Sequence, residues 1–350
     1  MRGAYFAGGK EIGYLDVPDP TPGPGEVVLA MKASGMCGSD LKLYRTPKGG
    51  TISIARVQTS GPVIAGHEPC GQVIEVGPGV SPFEAKVGDR MMVHHYWGCS
   101  TCDHCRAGWS QLCTTISPQV YGIGAHGGHA PYLKVPARTL VPLPEELSYE
   151  AGAAISCGTG TAYQALRRMN VSGHDTVAIF GQGPVGLAGT QLAAALGARV
   201  IALDINPARL AMAKGFGAEE VINPAEVDAV AAIKDLTDGR GADAAMDCSA
   251  APQARLQAIF CLRIWGVACM VGGSGPLNIE NVSAALNQRQ ITLMGSWTFS
   301  NVGQADCARF IAERGVKADE VFTHRWRLDQ AGEAYTLFDR QSDGKGVIVM

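Results

Sequence analysis

No apolar run in the 350-residue sequence reaches the roughly 18 residues that a membrane-spanning helix needs. Charge of either sign is also short. Lys and Arg total 29 against 32 Asp and Glu, a formal net charge of −3. That excludes the basic footprint of a nucleic-acid binder and the polybasic patch of a membrane-surface protein. The start, Met1-Arg2-Gly3-Ala4-Tyr5, lacks the apolar stretch and cleavage site of a signal peptide, so the expected location is cytoplasmic. The 45 glycines show neither a collagen-like period nor a low-complexity block, and no internal repeat is visible. They suit a fold with tight turns and close backbone approaches.

Hydrophobic residues make up 46%, enough for substantial cores, and a length prior of about 150 residues per domain predicts two domains. Up to about residue 150 the chain reads as short strands between turns: Val27–Lys32 after Pro22-Gly23-Pro24-Gly25, then Gln72–Val76, then Val87–Val93. An irregular, barrel-like β domain is expected there. Near Tyr149 the texture changes to strand–helix alternation, the mark of a parallel sheet covered by helices. Strands are expected at Thr176–Phe180, Arg199–Leu203, Ala244–Asp247, Val267–Val271 and Ile291–Met294, with a helix over Val185–Leu196. Asn206 and Pro207 suit the N-cap and first position of another helix. The segment from about Thr298 is expected to rejoin the first domain and close on Gly346–Val349.

Phe180-Gly181-Gln182-Gly183-Pro184-Val185-Gly186 places G-x-G-x-x-G between an expected strand and an expected helix, the context a dinucleotide site requires. Gly181 permits the tight turn, Gly183 lets the backbone approach a pyrophosphate, and Gly186 lets the helix pack on the sheet. The helix N-terminus offers N–H groups to phosphate. Asp204 ends the next strand, where a carboxylate accepts from the adenosine ribose and repels a 2′-phosphate. NAD is therefore expected over NADP.

Cysteine is the informative count. There are eleven, and Cys99, Cys102, Cys105 and Cys113 follow C-x2-C-x2-C-x7-C. In a reducing compartment this reads as a closed tetrahedral zinc site. The competing iron–sulfur run has C-x3-C-P after its third cysteine, whereas here the interval is longer and Thr114 follows. A second set is dispersed: Cys37 in Gly35–Asp40, His67 in Gly66-His67-Glu68, and Cys157 in Ile155–Thr161. Singly, each reads as a buried small hydrophobe or a turn histidine. Together they supply two thiolates and an imidazole, the donor set of a catalytic zinc with an open position.

In their order along the chain, Cys37-Gly38-Ser39-Asp40, Gly66-His67-Glu68, the four-cysteine lobe and the glycine motif resemble the zinc-containing medium-chain dehydrogenase/reductase superfamily, whose members include alcohol, sorbitol and threonine dehydrogenases. The resemblance implies an α/β protein with a GroES-like β-rich catalytic domain over 1–158 and 298–350. It implies a Rossmann doubly wound parallel-sheet domain over 159–297. It implies two Zn2+ per chain. One is held by Cys37, His67 and Cys157, with Glu68 behind it as an alternative ligand, and the other by the cysteine lobe.

By the same resemblance, Asp40 orients His67, Thr161 contacts the nicotinamide, and Pro184, Val185 and Gly272 join the coenzyme-binding glycines. Arg209 serves the adenosine ribose and Lys345 the pyrophosphate. The activity implied is hydride transfer between a secondary-alcohol or polyol-like substrate and NAD, with zinc stabilising the alkoxide and Ser39 as first proton acceptor. Lys42 stands where relatives usually carry a proton-relaying His, and an ordinary Lys is a poor base at neutral pH.

Two other readings compete: a zinc-free quinone or enone reductase on the same fold, and a non-catalytic zinc-binding module. No nucleic-acid or membrane partner is expected. A homo-oligomer is, with a tetramer favoured over a dimer. The stretch Leu43–Val63, with Tyr44, Arg45, Lys48, Arg56 and Gln58, either meets a polar substrate or is a solvated or oligomer-contact loop. Trp97 and Trp297 are alternatively pocket walls or core, and His94, His95, His126 and His129 carry no assignment.

Overall fold

The structure is a computed structural model that describes residues 1–50, 53–54, 57–58, 61–340 and 344–350. It divides into two compact units, one of Met1–Gly160 with Phe299–Met350 and one of Thr161–Thr298. Among the described residues no helix is long and apolar enough to cross a membrane.

In the second unit, Thr176–Phe180 and Ala242–Asp247 are buried at every position. Such unbroken burial, without in–out alternation, belongs to parallel strands covered on both faces. Six parallel strands run in the order Glu220–Ile222, Arg199–Leu203, Thr176–Phe180, Ala242–Asp247, Leu262–Met270, Thr292–Gly295. Strand order reverses between Thr176–Phe180 and Ala242–Asp247. Ligands of doubly wound sheets bind at the carboxyl ends beside this switch point. Phe180, Ile201, Leu203, Ile233 and Ile259 anchor the core. Helices start where capping chemistry places them: the Asn206 side chain accepts from the Ala208 and Arg209 N–H groups and opens Pro207–Gly215. Pro184 occupies the first turn of Pro184–Ala195.

The first unit is built on Glu26–Gly35. This strand pairs antiparallel with Glu68–Val76, Tyr132–Pro136 and Lys345–Val349. Arg90–Val93 and Leu140–Pro142 extend the sheet on one side, and Phe322–Arg327 lies parallel to Lys345–Val349 on the other. The C-terminal strand thus returns to the N-terminal half. Val27, Leu29, Met31, Val73, Val93 and Leu133 fill its core, and Trp97 packs against this cluster as core. The hairpin of Arg2–Gly8 and Glu11–Asp16 was not expected; its short, half-buried strands lack clean alternation. The expected Val87–Val93 strand begins only at Arg90, because Gly88 has a left-handed φ of 95° and turns the chain first.

Candidate active site

Four residues from separate elements meet in the first unit. Cys37 follows the central strand, His67 and Glu68 sit at the start of Glu68–Val76, and Cys157 comes from a helix over Tyr149–Arg168. One ligand atom from each lies within 4.8 Å of all the others. Within that helix, Ile155–Thr159 forms a π-turn, and Cys157 is on it. Such widened turns commonly mark functional positions, since they re-aim a side chain without ending the helix. Ser156 anchors the turn: its hydroxyl donates to Gly152 O at 2.9 Å, and its carbonyl accepts from His95 Nδ1 at 2.7 Å.

Cys37 and Cys157 sulfurs are 3.9 Å apart. In a tetrahedral site with Zn–S near 2.3 Å, two sulfurs would be about 3.8 Å apart. The hydrogen bond between the thiols holds Cys37 well below its ordinary pKa and pushes Cys157 well above. Burial alone would lower His67, but the charges of Asp40 and Cys37 outweigh it and hold the imidazole well above its ordinary value. His67 Nδ1 lies 2.9 Å from Asp40 Oδ1, with the N–H off the bond line, and Nε2 lies 3.3 Å from Ser39 Oγ.

Glu68 is fully buried and faces Lys345, itself 2% exposed. Lys345 Nζ is 2.7 Å from both carboxylate oxygens but is aligned for donation to Oε1, leaving Oε2 without an aligned donor among the described residues. Burial pushes the Glu68 carboxyl up, to about 8, against the pull of the ammonium. Gly35 makes room for this carboxylate, because a Cβ there would collide with Glu68 Oε2. Lys345, expected near a pyrophosphate, is thus placed at Glu68.

The second cysteine set also converges, with one sulfur from each of Cys99, Cys102, Cys105 and Cys113 within 4.8 Å of the others. Cys99 Sγ accepts from the Thr101 hydroxyl at 3.3 Å and from the Cys102 N–H at 3.3 Å. The Thr101 hydroxyl holds Cys99 down, to about 5, and the Thr114 N–H holds Cys102 down, to about 7; burial pushes Cys105 up to about 12. Gln111, fully buried, donates to Phe299 O at 2.8 Å and ties the lobe to the rest of its unit.

In the second unit, Gly181, Gly183 and Gly186 form the turn into Pro184–Ala195. Gly181 has φ 86°, and a Cβ on Gly186 would strike the Gly181 carbonyl. A Cβ on Gly183 would meet nothing within 4 Å. Gly272 lies against Ala250 N, 2.6 Å from where a Cβ would stand. Asp204, at the end of the second strand, accepts from Gln182 N at 2.6 Å and Asn206 N at 2.9 Å, with Arg209 3.8 Å away. Thr161, nearly buried, begins this unit on the helix that carries Cys157.

The chain matches the alcohol dehydrogenase GroES-like domain family over residues 23–145 and the zinc-binding dehydrogenase family over 184–313. It is 40% identical over 350 residues to the zinc-type alcohol dehydrogenase-like protein YphC of Escherichia coli, covering 99% of this chain and 98% of that one. It belongs to the zinc-containing medium-chain dehydrogenase/reductase superfamily. L-threonine 3-dehydrogenase of Pyrococcus horikoshii is 33% identical, over 98% of this chain and 95% of its own. The solved alcohol dehydrogenase TADH of Thermus sp. ATN1 superposes with a TM-score of 0.87 at 27% identity, over 100% and 99% of the two chains. As a member of this superfamily, the protein is an oxidoreductase of the zinc-type alcohol dehydrogenase class, with a GroES-like domain and a Rossmann sheet.

Several neighbours of the cluster had no signal in the sequence. The His95 ring stands 5.4 Å from the His67 ring, and His129 and Tyr335 connect to Asp40. In the Rossmann unit, buried Asp247 accepts from Arg255 Nε at 3.2 Å and Ser249 Oγ at 2.7 Å, and Arg255 also donates to Gly272 O at 2.7 Å. This pair braces the loops at two strand ends. His94 lies between the carbonyls of Tyr96 and Phe299, and His126 Nδ1 accepts from Ile64 N.

Of the Leu43–Val63 residues, Tyr44 is core, Arg45 pairs with Asp339 at 2.5 Å, and Lys48 pairs with Glu11 at 2.6 Å. These partners engage both cations. Arg56 and the Gln58 side chain lie outside the described residues. A cavity of about 360 Å³ borders the segment, lined by Phe6, Leu43, Pro47, Val63 and Ile123 among others.

Proposed function

We propose that the protein is a zinc-dependent dehydrogenase that transfers hydride between a secondary-alcohol or polyol-like substrate and NAD. The observation that carries this reading is the convergence of Cys37, His67 and Cys157, two thiols and an imidazole, in a buried cluster. That donor set fits a catalytic zinc. Glu68 is the fourth candidate donor, but Lys345 engages its carboxylate, so three ligands are expected and one position stays open. Zinc there supplies Lewis acidity toward an alcohol oxygen, and NAD supplies the hydride acceptor. Asp40 Oδ1, 2.9 Å from His67 Nδ1, is the carboxylate that would orient the imidazole with Nε2 toward the metal. Ser39 Oγ, 3.3 Å from His67 Nε2, is the candidate to take the substrate proton. The four cysteines of the partly exposed lobe fit a closed structural zinc. The likeness to an L-threonine 3-dehydrogenase supports a secondary carbinol as the reacting group.

Asp204 supports NAD over NADP. Two backbone N–H groups fix its carboxylate at the strand end, where it accepts from a ribose diol and repels a 2′-phosphate. Arg209 beside it offsets part of that repulsion. A cytoplasmic location belongs to the same proposal, since eleven cysteines without a disulfide suit a reducing compartment. So does a homotetramer. Ile264 and Trp265, 60% and 69% exposed, lie on the strand next to the sheet-edge strand Thr292–Gly295 and give it apolar surface to bury.

The test is reduction of NAD and of NADP across a panel of alcohols, polyols and hydroxy acids, with zinc counted in the same preparation. Turnover on a secondary alcohol, two zinc ions per chain and a higher kcat/KM with NAD are expected. Asp204→Ala should narrow the coenzyme ratio. Zinc near zero per chain would return the reading to a zinc-free reductase.

A further inference from the structure

Asp40 is the midpoint of a longer buried chain. Its Oδ1 faces His67 Nδ1, while Oδ2 accepts two bonds, from the Cys37 N–H at 2.9 Å and from the Tyr335 hydroxyl at 2.9 Å. Tyr335 comes from the helix Ala331–Asp339, almost three hundred residues further along. Because its proton is given to Asp40, the Tyr335 oxygen can only accept from its next neighbour, His129 Nε2 at 2.8 Å. His129 must therefore carry its proton on Nε2. Its Nδ1 is then an acceptor, and Ser34 Oγ stands 2.8 Å from it. Burial pushes His129 down, to about 4, which agrees with the single ring proton that this order of bonds demands. Ser34, His129, Tyr335 and Asp40 are all buried, so bulk solvent does not compete for these bonds.

The chain bears on His67 a second time. Gly66 has φ 92°, and a Cβ there would strike His129 Nδ1 and come within 2.6 Å of Ser34 Oγ. His129 N also donates to Ala65 O at 2.9 Å, and Gly128 N to Gly66 O at 2.7 Å. The Ser34–His129 pair is thus packed directly against the backbone that presents His67.

We propose that Tyr335, His129 and Ser34 are positioning residues for the catalytic metal: two donors on Oδ2 turn the Asp40 carboxylate so that Oδ1 meets His67, and the Ser34–His129 pair supports the His67 backbone. The proposal rests on the reading that Cys37, His67 and Cys157 hold zinc. Tyr335→Phe removes the hydroxyl and keeps the ring that packs edge-on to Phe6 at 5.0 Å. Outer partners of metal-bound histidines are generally worth about 10- to 100-fold in metal affinity.

The experiment is chelator competition on the zinc-loaded protein, with cobalt substitution to read the ligand field of each site. Tyr335→Phe should weaken the Cys37 site about 10-fold or more and shift its cobalt bands, while the metal of the Cys99 lobe and the circular dichroism stay as in the parent. His129→Phe should do the same. His129→Gln, with an amide N–H and a carbonyl at its tip, should recover part of the affinity. If both Phe variants hold the second metal as tightly as the parent with unchanged bands, the proposal is wrong. If Tyr335→Phe fails to fold, the His129 pair decides: equal affinities in His129→Phe and His129→Gln overturn it. A parent protein that binds metal only at the Cys99 lobe would overturn the ligand reading instead.

Discussion

Ser39 and Lys42 lie one helical turn apart and meet different surroundings. Ser39 Oγ is 3.3 Å from His67 Nε2, whereas Lys42 is exposed on the helix Asp40–Arg45. Of the two, Ser39 is the one beside His67, and the exposure of Lys42 makes it a poor stand-in for a relay histidine. Ser39→Ala should therefore lower kcat by about 100-fold or more, the scale of a lost acid–base group. Lys42→Ala should cost much less and act mostly on coenzyme KM. A kcat–pH profile of both variants decides between them. Loss of a near-neutral ionisation in Lys42→Ala, with a rate loss equal to that of Ser39→Ala, would make Lys42 a working base. At this scale, the sequence displayed Cys37, His67 and Cys157 because thiols and imidazoles near glycines are chemically conspicuous. His129 and Tyr335 were not legible. Their role depends on contacts across more than two hundred residues, which no local spacing encodes.

The glycine turn separates two uses of one residue type within a single element. Gly186 is required by packing, since any Cβ would strike the Gly181 carbonyl. Gly183 has φ −70°, which alanine adopts freely, and a Cβ there would meet no atom within 4 Å. Its reason to be glycine is the pyrophosphate that approaches the helix N-terminus in the proposed reading. Gly183→Ala should leave the melting temperature nearly unchanged and weaken NAD binding about 10-fold or more. Gly186→Ala should lower stability by about 1–3 kcal/mol, the usual cost of forcing atoms into filled space. Calorimetry and a coenzyme titration on both variants check this. A Gly183→Ala protein that binds NAD like the parent would take the pyrophosphate away from this turn. Thr176–Phe180, Arg199–Leu203 and Pro184–Ala195 were legible to within a residue because continuous apolar runs and a glycine–proline start mark them, whereas Leu262–Met270 begins well before the expected Val267 and the short strand Glu220–Ile222 was not expected. The π-turn that presents Cys157 was not, because Ile155–Thr159 reads like any small-residue helix segment.

On the scale of the whole molecule, the two cysteine-bearing clusters are placed for different work. The Cys99 lobe is partly exposed, made of short turns, and tied to its unit through Gln111 and the Asn301 N–H bonded to Gly108 O. It contains little apolar core of its own, so a bound metal is expected to supply much of its folding energy. The Cys37 cluster is enclosed by sheet and helix that already share a core, and the Asp40 and Glu68 carboxylates keep partners from the chain itself. Its metal should matter to chemistry more than to fold. Cys105→Ala should therefore lose one zinc per chain and lower the melting temperature by about 5 °C or more, since each 1 kcal/mol moves a domain of this size by about 2–4 °C. Cys157→Ala should also lose one zinc, because two remaining ligands hold it poorly, yet melt close to the parent and turn over no alcohol. Elemental analysis, thermal melting and NAD reduction on the two variants separate the roles. Normal turnover in Cys157→Ala would move the third ligand elsewhere, with Glu68 released from Lys345 the first residue to test. A Cys105→Ala protein that keeps both its second zinc and its melting temperature would mean the lobe folds on its own side chains.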